Sequence, residues 1–195
     1  MRKKSGKRAA RRFDAEITEV ERFLTDVTSA TLDKRSLSWA HEVALLKLTV
    51  ALERVMLECL VAAINNSTGP LSARTQVKFP KHITNEVAEY LVVGSSYFDF
   101  RGSRDGLIKK IREFVDESHW LVTAVKTTDK PTLDKLFAIR NWAAHESKTA
   151  KRRAIALVGP GAGSPGSWLK KGGRTAAFIR ELRDLANEIE SAAPF

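Results

Sequence analysis

Arg140-Asn141-Trp142-Ala143-Ala144-His145 is the stretch of this chain whose residue types could do chemistry together. Arginine holds phosphate oxygens bidentately with a permanent positive charge. Histidine gives or takes a proton near neutral pH. As a site, Arg140, Asn141 and His145 would handle a phosphodiester without a metal, which points to a ribonuclease. The 4 histidines, at positions 41, 82, 119 and 145, show no clustered ligand spacing, so the sequence implies no metal and no cofactor.

Such a hexapeptide needs a helix to present it. Asp129 and Pro131 read as the start of one. Along it Leu133, Leu136, Phe137, Arg140 and Ala144 fall on one face, so Arg140 takes a position the pattern reserves for an apolar side chain. An arginine there requires a partner or an anion. Asn141 and His145, four apart, share a face. Arg140 and His145, five apart, diverge by about 140° on an ideal helix. Either the helix loosens near His145, or a second copy supplies the missing group. A two-fold dimer joining two motif helices would bring both sets into one composite cleft. The reading without chemistry is that Arg140 pairs with a buried acid and His145 ends a helix.

The remaining elements are read as helices. Phe13, Ile17, Val20, Leu24 and Val27 mark one face of a first helix. Ser36 or Ser38 would cap a second, on which Trp39, Val43, Leu46, Val50, Leu57, Leu60 and Ile64 form one stripe. Leu45, Leu48, Leu52, Val55, Met56 and Cys59 fill neighbouring directions, so this helix should be central. Glu53 interrupts the stripe; it neutralises Arg140, faces a shallow part of the bundle, or orients Arg140 or His145 as a second layer of the site. Asn65-Asn66-Ser67-Thr68-Gly69-Pro70 is a dense stop signal. Further helices are expected near 83–92, over 105–115 and after Gly172-Gly173, the last with Phe178, Leu182, Leu185 and Ile189 inward; 119–125 reads as a turn of helix in preference to a short strand. Gly and Ser bracket an aromatic segment, Tyr97-Phe98-Asp99-Phe100. Positions 158–167 read as a flexible loop without the Gly-Lys-Ser/Thr ending of a phosphate loop. Trp142, Trp120 and Cys59 read as core residues. The expected fold class is all-α, a helical bundle with a long central helix, long loops and a C-terminal helix.

The charge is uneven. Of the +10 formal net charge, seven positive residues fall in positions 1–12 with no acid, so the rest of the chain carries only +3. That run reads as a disordered basic arm, drawn to polyanions or merely solubilising, ahead of a single domain over 13–195. A second basic cluster follows the hexapeptide: Lys148, Lys151, Arg152 and Arg153, then Lys170, Lys171 and Arg174. These are the candidate RNA-binding residues. A hydrophobic content of 43% over 195 residues supports a packed core. No apolar run reaches the ~18 residues of a membrane span, and one cysteine permits no intramolecular disulfide. A soluble cytoplasmic protein without a membrane partner is the expectation.

Arg140-Asn141, a spacer of four residues counted from the arginine, and His145, late in an all-helical domain, resemble the HEPN superfamily (higher eukaryote and prokaryote nucleotide-binding domains). The Ala51-Leu52-Glu53-Arg54 helix and the Tyr97–Arg104 segment also look like prokaryotic HEPN ribonucleases of toxin–antitoxin and phage-defence systems. The resemblance covers positions from about 13 to 192. It implies a metal-independent, homodimeric endoribonuclease that leaves 2′,3′-cyclic phosphate and 5′-hydroxyl ends. His145 would serve proton transfer, Arg140 would stabilise phosphoryl charge, and Asn141 would orient the phosphate or His145. RNA, a second copy and an antitoxin or regulatory protein are the implied partners. Two other readings stand beside it: a catalytically silent HEPN module that binds RNA or a protein, and a plain helical dimerisation domain.

Overall fold

The computed structural model describes residues 3–195 except 31, 97, 99–101 and 146. Among the described residues the chain is helical, with no strand. The fold is organised on α2 (Lys34–Asn66), whose 33 residues run about 50 Å. α1 (Gly6–Ser29) lies antiparallel to it, stitched by ion pairs of opposite register, Arg12–Glu58 at 2.8 Å and Arg54–Glu16 at 2.7 Å. α10 (Arg174–Ala192) closes the layer on α1 through Arg11–Glu190 at 2.7 Å and Arg183–Asp14 at 3.1 Å. Phe13, Ile17, Leu45, Leu48, Leu52, Met56 and Leu60 are fully buried between these helices. Each such side chain contributes about 1.5–3 kcal/mol by leaving water. Cys59 is buried among them, and burial pushes its thiol pKa up.

The smaller helices pack around this frame. α3 (Gly69–Thr75) and α4 (Asn85–Val93) follow α2; α5 (Arg104–Arg112) and α6 (Trp120–Ala124) lead to α7 (Lys130–His145). α8 (Lys148–Val158) and α9 (Pro165–Leu169) complete the chain before α10. The α2 cap is Asp33, which accepts from the backbone N–H groups of Arg35 and Ser36 and from the Ser36 hydroxyl; Ser36 and Ser38 lie inside the helix. These bonds, the Ser36 hydroxyl first, hold the Asp33 carboxyl below its ordinary pKa. The stop signal after Asn66 also starts α3, because Pro70 is compatible with a first helical turn.

Four further expectations are overturned. The basic run is not a disordered arm from Gly6 onward: it is the first turns of α1, capped by Ser5 and anchored by buried Ala9 and Ala10. Its charges point outward, and Lys4 and Arg12 converge on Glu58. Arg2 lies outside the described residues. Second, the α2 stripe faces partly outward. Trp39, Val43 and Val50 are 53%, 47% and 48% exposed, because neighbouring helices converge on the Leu45–Leu48–Leu52 side. Third, the 158–167 loop is pinned. Ser164 and Ser167 form a reciprocal cap for α9, and the Gly166 N–H donates to Glu42 at 2.7 Å. Fourth, Ala144 is exposed, so the apolar face of α7 leaves the core at Arg140. Of the aromatic segment, Phe98 is buried; Tyr97, Asp99 and Phe100 lie outside the described residues. No helix of the described residues is long and apolar enough to cross a membrane.

Candidate functional site

The hexapeptide ends α7, and α8 turns back beside it after a short corner at Ser147, which caps α8 by accepting from the Ala150 N–H. Trp142 locks the two helices together. It is 6% exposed and packs in a small second core with Ala150, Ala154 and Ala162. Trp142 is therefore a structural residue, with the Lys151 ammonium 5.8 Å above its ring. Trp120, half-buried, packs edge-on to Phe195.

On the other side of Trp142 the helix pair opens a cleft of about 600 Å³. From α7 it is lined by Asp134, Ala138, Asn141 and His145, spaced four, three and four apart on one face. From α8 it takes Thr149, Arg153 and Leu157 at the same helical spacing. Gly102 and Ser103 form the third wall. Gly102 has φ +66°, and a Cβ there would stand 3.1 Å from Asn141 Nδ2, so only glycine brings this wall so close. Asp134 fixes the wall by accepting the Arg104 N–H at 2.9 Å, and Arg104 in turn donates to the Val125 carbonyl at 2.7 Å.

Arg140 takes no part in lining that cleft. Its guanidinium lies 3.9 Å from Glu53 on α2, with both side chains about a quarter exposed, 28% and 25%. It also donates to Asn141 Oδ1 at 3.0 Å. The 140° divergence expected from spacing is thus realised: α7 stays helical to His145, and the two groups serve different faces. Asn141 links them, touching Arg140 while facing the cleft.

The basic cluster divides in the same way. Arg153 lines the cleft, whereas Lys148, Lys151 and Arg152 sit elsewhere on exposed α8. Lys170, Lys171 and Arg174 do not line it; they lie at the junction of α9 and α10. Lys170 donates to the Lys34 carbonyl at 2.7 Å; Arg174 donates to the Trp168 carbonyl at 2.9 Å and stacks 4.4 Å from that ring. Lys170 and Arg174 therefore hold structure. The other histidines are also engaged elsewhere: His41 lies 2.9 Å from the Thr175 hydroxyl, His82 2.8 Å from Lys3 Nζ, and His119 caps α6. Burial lowers the pKa of His41, with Lys170 adding to it, and burial lowers that of His119. Among the described residues no three His, Cys, Asp or Glu side chains come together as a metal site.

Ser103, Asp134, Ser147 and Thr149 belong to the cleft although residue type alone does not single them out. Asp134 was accessible from periodicity, since it lies on the Asn141–His145 face; Ser103 comes from a distant segment. The fold and site define an all-helical protein with a cleft of mixed polar and apolar lining between α7 and α8. No known protein family, curated protein or solved structure matches the chain.

Proposed function

We propose that this protein is a metal-independent endoribonuclease of HEPN type. The observation that carries the reading is the α7–α8 cleft, where His145, Asn141 and Arg153 line one concave space. In the reaction, the 2′-hydroxyl of RNA loses its proton to a general base and its oxygen bonds to the adjacent phosphorus. The bond from phosphorus to the 5′-oxygen breaks, and that oxygen takes up a proton. The products are a 2′,3′-cyclic phosphate and a 5′-hydroxyl. His145 is the residue suited to proton transfer, and Asn141 to orienting it or the phosphate.

Arg140 lies at the edge of a surface suited to a second copy. Glu53 sits within the outward stripe of α2, one turn from exposed Val50, so Arg140 lies at the end of the surface that carries exposed Val50, Val43 and Trp39. A second copy docking on this stripe places two Arg140 side chains at one two-fold interface. A toxin or phage-defence effector held by an antitoxin or regulatory protein is the setting this reading favours.

One observation favours a second reading. Arg140 is committed to Glu53 and Asn141, which suits a non-catalytic module that binds RNA or a protein partner. Incubating the pure protein with total RNA in EDTA, then mapping the ends, separates them. Cyclic-phosphate and 5′-hydroxyl ends, lost in His145→Ala, support the enzyme. Salt-dependent RNA binding with every RNA intact supports the module.

A further inference from the structure

We propose that Arg153, and not Arg140, is the guanidinium that holds the substrate phosphate beside His145, and that Arg140 is a positioning residue acting through Asn141. This rests on the ribonuclease reading above and names the phosphate-binding group of that same cleft.

The argument starts from helical register. α7 and α8 run away from the corner at Ser147, and Asn141 and Arg153 are equally far from it in sequence. At 1.5 Å per residue both lie about 9 Å along their helices from that corner. They therefore face each other across the cleft at one depth, with His145 and Thr149 nearer the corner. Ala138, Ala156 and Leu157 lie towards the other end, an apolar wall suited to a base. Phosphate beside Arg153 and His145 with a base against Leu157 is the orientation this lining admits.

Charge separates the two arginines. Asp134, the carboxylate of the cleft, is already engaged: it accepts the Arg104 N–H and lies 3.5 Å from the Lys130 ammonium, which also pairs with Asp105. Among the described residues no carboxylate is paired with Arg153, so its fork is available for a phosphate. Arg140 has its charge offset by Glu53 and one arm donated to Asn141 Oδ1. That bond leaves the Asn141 amide N–H groups, one side of which abuts Gly102, as donors towards the cleft. The packing of Trp142 on Ala150 and Ala154 clamps α8 and keeps the base of Arg153 in place.

The test uses the full chain and one unpaired RNA oligonucleotide in two forms, unmodified and 2′-O-methylated. The methylated form cannot undergo 2′-hydroxyl attack, so its affinity reports binding alone. Arg153→Ala should weaken binding of the methylated oligonucleotide by about ten-fold or more and lower the salt slope by about one contact. Arg153→Lys should restore part of the affinity. Arg140→Ala should leave that binding within about three-fold while slowing cleavage of the unmodified RNA. Arg153 is exposed, so its variants should melt with the wild type. Wild-type binding and cleavage in Arg153→Ala, or a loss of binding in Arg140→Ala instead, overturns the assignment. If the wild type binds through Arg153 and never cleaves, the ribonuclease reading fails and the phosphate assignment stands.

Discussion

Replacing Gly6 by alanine tests the docking of the basic N-terminus through the sign of the effect. A Cβ at Gly6 would stand 2.8 Å from Trp120 Cη2 and 2.9 Å from Ala193 Cβ. Nearby, the Lys7 N–H donates to the Phe195 carbonyl at 3.1 Å, so α6, α1 and the C-terminal residues meet there. Forcing a methyl into such a contact costs about 1–3 kcal/mol. Against it stands a gain of at most about 0.5–1 kcal/mol from replacing a helical glycine. Repulsion wins by roughly 1–2 kcal/mol, and a chain of this size loses about 2–4 °C of Tm per kcal/mol. Gly6→Ala should therefore melt about 2–8 °C below the wild type by far-ultraviolet circular dichroism. If residues 6–12 were a loose arm, the same change would be neutral or stabilising. A Tm at or above that of the wild type refutes the reasoning.

Glu53→Gln should leave Tm within about 2 °C, since a part-exposed ion pair contributes roughly 0.5 kcal/mol, yet it should slow RNA cleavage by releasing Arg140; unchanged cleavage would leave Glu53 a plain counter-charge. Val50→Glu, on a side chain already 48% exposed, should convert a dimer to a monomer in light scattering with melting unchanged; identical masses for variant and wild type would show that the α2 stripe is not the docking surface. Acidification should destabilise the fold through His41 and His119. Both have folded-state pKa values lowered by burial, so below about pH 6.5 the unfolded chain takes up protons more readily and stability falls. His41→Asn should flatten part of that fall in Tm against pH; a curve parallel to the wild type would show that His41 does not contribute.

Much of the fold was legible because helical periodicity is local. Phe13, Ile17 and Leu24 are buried on α1 as their spacing implies, and Phe178, Leu182, Leu185 and Ile189 on α10. Asp129 and Pro131 marked the approach to α7 within a residue or two. The misread faces have one cause: periodicity says that a face is apolar and not whether a neighbour covers it. Trp39, Val43 and Val50 share spacing with core residues and yet remain exposed. The basic run hid Ala9 and Ala10, whose burial depends on helices far away in sequence.

By itself the sequence determined that the chain is helical, that Asn141 and His145 share a face, and that Arg140 and His145 cannot aim at one point from one helix. Those are consequences of the helical repeat and need no knowledge of packing. Only the tertiary structure decided where each group faces. It brought Ser103 to Asn141 through Gly102, assigned Arg153 rather than Arg140 to the cleft, and drew Lys170 and Arg174 into structural roles. Such assignments depend on which backbone lies opposite a side chain, and that is set by packing between segments distant in the sequence.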